Sequence, residues 1–399
     1  MHICFVSTPY LPDTSVGGTG TYAYTAARIL ARRGHRVSVI SVSWTGGEHF
    51  VLDQGVEVWR FSENIWRKTI RDYMRRNQQV WQKLQEIKPD VVQVAEYEAE
   101  GFITALLARR KFGLITRLTC PYTLTGAPRP KTDWRRKTID QMAYQQAKHS
   151  HALISPSYSH AAVIEQNCHL KPGSINRIYN SVNLEEMETF RNLPAPLKID
   201  GPYLIFFGRL SPEHKGLEYL AEALLTVWAK FPYLKMVYAG KNEPYQLKGL
   251  PIQKYLEQAA GKYKSNLIFT GHLPRAKVLP LVAKASLAVL PSTSEPFGFV
   301  CAEALALGVP IITTGDSGGP GEIIGGLNDN QVEPDSVPAG WLVPHSNSSA
   351  LASAIIEALT DPEAIRQVKE RASRRKYRFD AEIMIDRLEA LYQEVCEKI

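Results

Sequence analysis

LAVLPSTSEPFGFVCAEALALGVP, residues Leu287–Pro310, contains a strand, a turn, a helix and the entry to a second strand. Leu287–Leu290 is a short apolar run closed by a proline, which reads as a strand buried on both faces. Pro291–Pro296 is dense in turn formers, a helix starts near Gly298 and stops at Gly308, and Val309–Thr313 resumes the strand pattern. The first turn of such a helix offers backbone N–H groups with no intrahelical partner and about half a unit of positive charge, a natural seat for an anion. Glu295 lies on the loop before it and Glu303 more than one turn inside it. Two carboxylates beside an anion repel it unless each has a hydroxyl to bind. Ribose and hexose supply such hydroxyls, so a sugar nucleotide accounts for both acids at once.

Upstream, Tyr203–Phe207 reads as the first strand of the same sheet and runs into Phe207-Gly208-Arg209-Leu210-Ser211-Pro212-Glu213-His214-Lys215-Gly216. Arginine grips phosphate oxygens in a bidentate way and lysine adds a point charge, so Arg209 and Lys215 together suit a diphosphate leaving group. An exposed salt-bridging pair is the plainer alternative. Lys235–Ala239 and Leu267–Phe269 are further strands. The proline-rich Leu193–Pro202 reads as a linker, dividing an N-terminal domain of residues 1–192 from a second domain of residues 203–379.

The N-terminal half repeats the pattern. Ile3–Ser7 is a strand, Gly17-Gly18-Thr19-Gly20-Thr21-Tyr22 a glycine loop, Tyr22–Arg33 a helix ended by Gly34, and Arg36–Val42 the next strand. Val91–Val94 and Gly113–Thr116 carry the strand signal further, and Ala381–Glu397 has apolar residues at helical spacing. The resulting fold class is α/β, with two Rossmann-like parallel-sheet domains facing a central cleft and the C-terminal helix, 380–399, packing back on the first domain. Gly18, Gly20 and Ala23 also fit a dinucleotide fingerprint, but the strand ending at Val42-Ser43-Trp44 has no acid for a ribose hydroxyl, which argues against a dehydrogenase.

Composition excludes little else. Hydrophobic residues are 44% and charged residues 22% of 399, as in ordinary folded proteins. Five scattered cysteines without C-x-x-C spacing oppose a disulfide framework or a zinc site. No apolar run reaches the ~20 residues that cross a bilayer, so a cytoplasmic protein is expected. The net charge of +7 is concentrated at Arg67, Lys68, Arg71, Arg75 and Arg76, and again at Arg129, Lys131, Arg135, Arg136 and Lys137. These read as solvated faces or as peripheral contacts with an anionic membrane, and they form no nucleic-acid module.

The Glu295–Glu303 stretch resembles the E-x7-E signature of the family-4 retaining glycosyltransferases of the GT-B fold. Arg209 to Lys215 is similar to that family's G-R-L-x(4)-K-G element, and Gly17–Tyr22 looks like its G-G-x-x-x-Y loop. The resemblance implies transfer of a hexosyl unit from a nucleotide-diphosphate sugar to an acceptor hydroxyl of a glycan, lipid or small molecule. It implies Glu303 on the ribose hydroxyls, and Glu295 with the backbone of Phe297, Gly298, Phe299 and Val300 on the transferred sugar. Arg209 and Lys215 would contact the diphosphate, Gly18, Thr19 and Gly20 would underlie phosphate and sugar, and Leu273 would lie near the base. Glu295, Arg209 and Lys215 are the expected catalytic residues, and Glu98, Thr119 and Tyr122 the acceptor-side candidates. Many members carry histidine where this chain has Thr119, which cannot shuttle a proton near neutral pH. Glu96, Glu98 and Glu100 follow a strand, either to bind acceptor hydroxyls or to cap the next helix and face solvent. No D-x-D-like cluster stands beside the phosphate elements, so neither metal nor cofactor is expected. The expected mechanism is front-face transfer, in which the departing phosphate oxygen itself takes the proton of the acceptor hydroxyl. The alternatives are an epimerase or sugar phosphorylase of the same fold, or an inactive sugar-nucleotide binder.

Overall fold

Short apolar runs bounded by glycine and proline become parallel strands, and the amphipathic stretches between them become the helices that cover the sheets. The computed structural model describes residues 1–11, 17–44, 46–62, 69–108, 111–120, 122–125, 134–211, 214–242, 246–325 and 337–399. The chain divides into two units, Met1–Ser181 with Ala381–Ile399, and Val182–Asp380.

The first unit runs β1 (His2–Val6), α1 (Gly17–Arg32), β2 (Arg36–Ser43), β3 (His49–Asp53), β4 (Val56–Ser62), α2 (Ile70–Ile87), β5 (Val91–Ala95), α3 (Phe102–Leu107), β6 (Gly113–Arg117), α4 (Trp134–Lys148), β7 (Ala152–Ser155), α5 (Tyr158–Asn167) and β8 (Asn176–Arg177). The sheet order is β3-β4-β2-β1-β5-β6-β7-β8, parallel except where β3 pairs antiparallel with β4. Helix α1 begins at Gly17, ahead of the expected Tyr22, so Gly18, Thr19 and Gly20 form its first turn rather than a loop before it. Glycine costs least there, where the N–H groups have no intrahelical partner, and a Cβ on Gly20 would lie 3.1 Å from the Pro9 carbonyl. A Thr69–Asp72 capping box starts α2.

The second unit runs α6 (Leu184–Asn192), β9 (Tyr203–Phe207), α7 (Leu217–Lys230), β10 (Lys235–Ala239), the hairpin β11 (Gln246–Leu247) and β12 (Leu250–Pro251), α8 (Ile252–Ala260), β13 (Leu267–Gly271), α9 (Arg275–Ala283), β14 (Leu287–Leu290), α10 (Phe299–Leu307), β15 (Ile311–Thr314), α11 (Gly319–Gly325), β16 (Trp341–Val343), α12 (Ser348–Thr360) and α13 (Pro362–Arg375). Its six-stranded sheet, β13-β10-β9-β14-β15-β16, is parallel throughout. Both sheets wind alike: the chain lays three parallel strands to one side, then returns past the first. That puts the switch point between β1 and β5 in one unit and between β9 and β14 in the other.

The division falls ahead of the proline-rich Leu193–Pro202 segment, which here joins α6 to β9 inside the second unit. The reason is α6, which packs on α9 and α10 with Met187 fully buried. The last helix, α14 (Ala381–Glu397), belongs to the first unit. Tyr392 on it donates to Gln93 at 2.8 Å, and Arg33 of α1's end holds Asp386 and Glu389, both at 2.7 Å. Gly113 makes room for it, since a Cβ there would meet Val395 at 2.6 Å.

Candidate active site

Three loops at the carboxyl ends of β9, β14 and β15 are pressed into backbone contact, and glycine is what lets them meet. Gly216 adopts φ 60° ahead of α7, and a Cβ on it would lie 1.9 Å from the Pro291 carbonyl oxygen. The Thr293 N–H donates to His214 O at 2.8 Å across the same contact. The Glu295 N–H donates to Ser317 O at 2.8 Å, and the Gly319 N–H returns a bond to Glu295 O at 3.0 Å. A Cβ on Gly319 would stand 2.2 Å from Phe297 O. These bonds hold Glu295 at the switch point, where the Lys215 ammonium reaches its carboxylate at 2.5 Å.

Arg209, two residues past β9, is exposed and has no ion pair among the described residues. An exposed arginine without an ion pair among the described residues, on the same connection from β9 to α7 as Lys215, is a ready partner for an anion. Helix α10 opens with Gly298 at φ 99° and no side-chain cap, so the Phe299 and Val300 N–H groups are left without an intrahelical partner. Phe297 anchors the turn by edge contacts with Phe299, at 5.2 Å between ring centres, and Phe379, at 6.1 Å. The helix boundaries match the reading from Gly298 and Gly308.

Glu303 is 6% exposed and is not a free carboxylate: Arg275 donates to its Oε1. Arg275 also approaches Glu186 of α6 at 3.7 Å. Burial works against the guanidinium charge, but Glu303 and then Glu186 outweigh it and raise the Arg275 pKa above its ordinary value. Half-buried Leu273 lies two residues before Arg275. The sequence reading overlooked Arg275. Its one signal was a cation at the first position of a helix, where the dipole disfavours positive charge.

In the first unit the acids behave otherwise than expected. Glu96 is 0% exposed, and its carboxylate accepts from the Thr119 N–H at 2.8 Å, the Cys120 N–H at 2.6 Å and the Thr119 hydroxyl at 3.1 Å. Burial raises its pKa and those bonds pull it back. Glu98 is taken up by Arg76 at 3.2 Å. Glu100, 3% exposed, accepts from the Thr8 N–H at 3.0 Å and from its hydroxyl, and burial pushes its pKa up to about 7. None of the three caps α3, whose N-cap is Gly101 without a side-chain bond. Glu96 and Glu100 tie loops together, Glu98 is ion-paired as Glu295 and Glu303 are, Thr119 is half-buried as part of the Glu96 clamp, and Tyr122 is half-buried three residues on. Arg117, unnoticed in the sequence, is fully buried with its guanidinium 3.8 Å from the Tyr22 ring centre and bonded to Asn180 at 2.7 Å.

Of the basic stretch, Arg71 and Arg75 are exposed, but Arg76 is 4% exposed and cannot face a membrane. Arg67, Lys68, Arg129 and Lys131 lie outside the described residues. Among the described residues no helix is long and apolar enough to cross a membrane, and no three His, Cys, Asp or Glu side chains gather as a metal ligand set.

Residues 190–375 match the family described as Glycosyl transferases group 1, and residues 16–186 match Glycosyltransferase Family 4. The chain is 26% identical to an uncharacterized glycosyltransferase of Methanocaldococcus jannaschii over 381 residues, 90% of each protein. It is 25% identical to the phosphatidyl-myo-inositol mannosyltransferase of Mycolicibacterium smegmatis over 49% of this chain and 46% of that one. Among solved structures, sucrose-phosphate synthase from Thermosynechococcus elongatus matches at a TM-score of 0.79 with 20% identity over 100% of both chains. The Anabaena protein HepE, solved in complex with UDP and glucose, matches at 0.72 with 20% identity over 98% of this chain and 99% of that one. At these identities the structural likeness speaks for the fold alone.

Proposed function

The chain belongs to the group 1 glycosyltransferases of the family-4 type, GT-B in fold, and from that premise we propose that it transfers a hexosyl unit from a nucleoside-diphosphate sugar to an acceptor hydroxyl with retention and without a metal. The observation that carries this reading is Lys215 paired with Glu295 at the β9/β14 switch point, with exposed Arg209 on the same connection from β9 as Lys215 and the open start of α10 on the same connection from β14 as Glu295. Cations and amide N–H groups at one loop cluster suit a diphosphate, and an acid among them suits a sugar hydroxyl. Complexes of two fold neighbours, with UDP and glucose and with UDP-2-fluoro glucose, support the same donor class.

In the reaction so proposed, the bond from the anomeric carbon to the donor phosphate oxygen breaks, and its electron pair leaves with the diphosphate. Arg209, Lys215 and the α10 amides stabilise that charge as it grows, which lowers the barrier directly. The acceptor oxygen bonds the anomeric carbon on the face the phosphate leaves, and its proton passes to the departing phosphate oxygen. Thr119 in place of histidine is compatible with this, since no side-chain base is required. Glu295 orients the sugar.

Thermal stabilisation by a panel of UDP-, GDP- and ADP-sugars identifies the donor, and product analysis by NMR in EDTA then reads the anomeric configuration. An α product from an α donor in EDTA is expected. An inverted product, or activity that needs added magnesium, would overturn the mechanism. Conversion of donor alone would point to an epimerase and phosphate-dependent release to a phosphorylase.

A further inference from the structure

Helix α10 is apolar and buried from Cys301 to Leu307, and Glu303 is the only charged residue among its nine. A carboxylate in such a helix is costly unless a cation and hydrogen bonds compensate it. Arg275 supplies the cation from the first position of α9, where Pro274 gives no side-chain cap and the helix dipole disfavours positive charge. What makes the position favourable is the pair of acids it lies between, Glu303 on α10 and Glu186 on α6. Arg275 occupies Glu303 Oε1, while Oε2 takes no hydrogen bond among the described residues.

We infer that Arg275 is a positioning residue that sets the donor's pentose specificity: it holds Glu303 by one oxygen and leaves the other to accept from the ribose hydroxyls. The inference rests on the donor reading above and deepens it. A carboxylate fixed by a guanidinium accepts charge-assisted hydrogen bonds from a vicinal diol, and a nucleotide lacking the 2′-hydroxyl leaves one of them unmade. Arg275 itself touches neither hydroxyl, so its loss acts on selectivity through the freed Glu303 side chain.

The test is calorimetric titration of UDP, GDP and ADP, each beside its 2′-deoxy counterpart, against the wild type and the variants Arg275→Ala, Arg275→Lys, Glu303→Gln and Arg209→Ala. The wild type is expected to bind at least one ribonucleotide ~10-fold or more tightly than its deoxy form. Arg275→Ala and Glu303→Gln should shrink that ratio to less than about 3-fold, mainly by weakening the ribo form, and Arg275→Lys should restore part of it. Arg209→Ala should weaken both forms alike and leave the ratio intact. Melting curves check folding, and if Arg275→Ala does not fold, Arg275→Gln takes its place. A wild-type ratio in the Arg275 variants overturns the inference, as does an equal loss of both forms, which would make Arg275 a phosphate contact. If the wild type binds none of the three ribonucleotides, the donor reading itself fails and this inference with it.

Discussion

Two sheets wound in the same way use their switch points in opposite manners. At the carboxyl ends of β9 and β14, Arg209 stays exposed, Lys215 and Glu295 are only half-buried, and glycines at 216 and 319 hold the loops so close that little can shift. At the carboxyl ends of β1 and β5, Glu96 and Glu100 are buried and spent on backbone N–H groups of neighbouring loops. An acid after a parallel strand is therefore a half-buried partner of a lysine in one half and an internal clamp in the other. Topology decides where a site can form. Whether the side chains are free to serve it depends on what else needs a hydrogen bond nearby.

If that contrast is right, charge removal in the second unit should cost turnover and little stability. Arg209→Ala with Lys215→Ala is expected to lower kcat/KM by about 10⁴-fold or more, at roughly 10²–10³ per transition-state contact, while the melting temperature changes little. Near-normal rates in that double variant would end the proposed role of both cations. A smaller effect is expected from Gly319→Ala, whose methyl would have to displace the Phe297 carbonyl. Overpacking of this kind costs about 1–3 kcal/mol, and a misplaced loop takes turnover down by ~10²-fold. Gly20→Ala in the first unit meets Pro9 at 3.1 Å, a milder approach, and should melt closer to wild type. Equal melting losses in the two alanine variants would erase the difference in tightness between the halves.

The strands, the crossover helices and the α10 boundaries were legible because glycine, proline and apolar runs act locally. Leu287–Leu290 and the bracketing Gly298 and Gly308 needed no partner to be read. What stayed hidden depends on distant residues. Arg76 belongs to a basic stretch by sequence, yet it is buried because Glu98 lies across from it. The partnership of Glu303 with Arg275 spans 28 positions and leaves no periodic trace. The boundary at Leu193–Pro202 was displaced because proline marks a loop without saying whether the helix before it packs forward or back. Glycines 18 and 20 read as a loop because glycine marks turns, yet the first turn of a helix also accepts it, and there they lie in α1.

Glu100 gives the mildest way to sharpen the contrast, through pH. Burial raises its pKa from the ordinary 4.5 to about 7, so the folded chain keeps the proton across that interval while the unfolded chain releases it. The stability this group contributes is complete below about pH 4.5, declines as pH rises, and is gone above about pH 7. That rise corresponds to about 3 kcal/mol, from which the weakened hydrogen bonding to Thr8 in Glu100→Gln removes about 1. The variant should therefore gain up to about 2 kcal/mol over wild type at pH 8 and lose about 1 kcal/mol at pH 4.5, read by urea unfolding across the range. Donor binding should be unchanged, because the acid serves Thr8 rather than a ligand. A flat difference between the two proteins would mean that Glu100 is ionised in the fold after all. A selective loss of acceptor affinity would move it from clamp to contact, and the two switch points would then be alike.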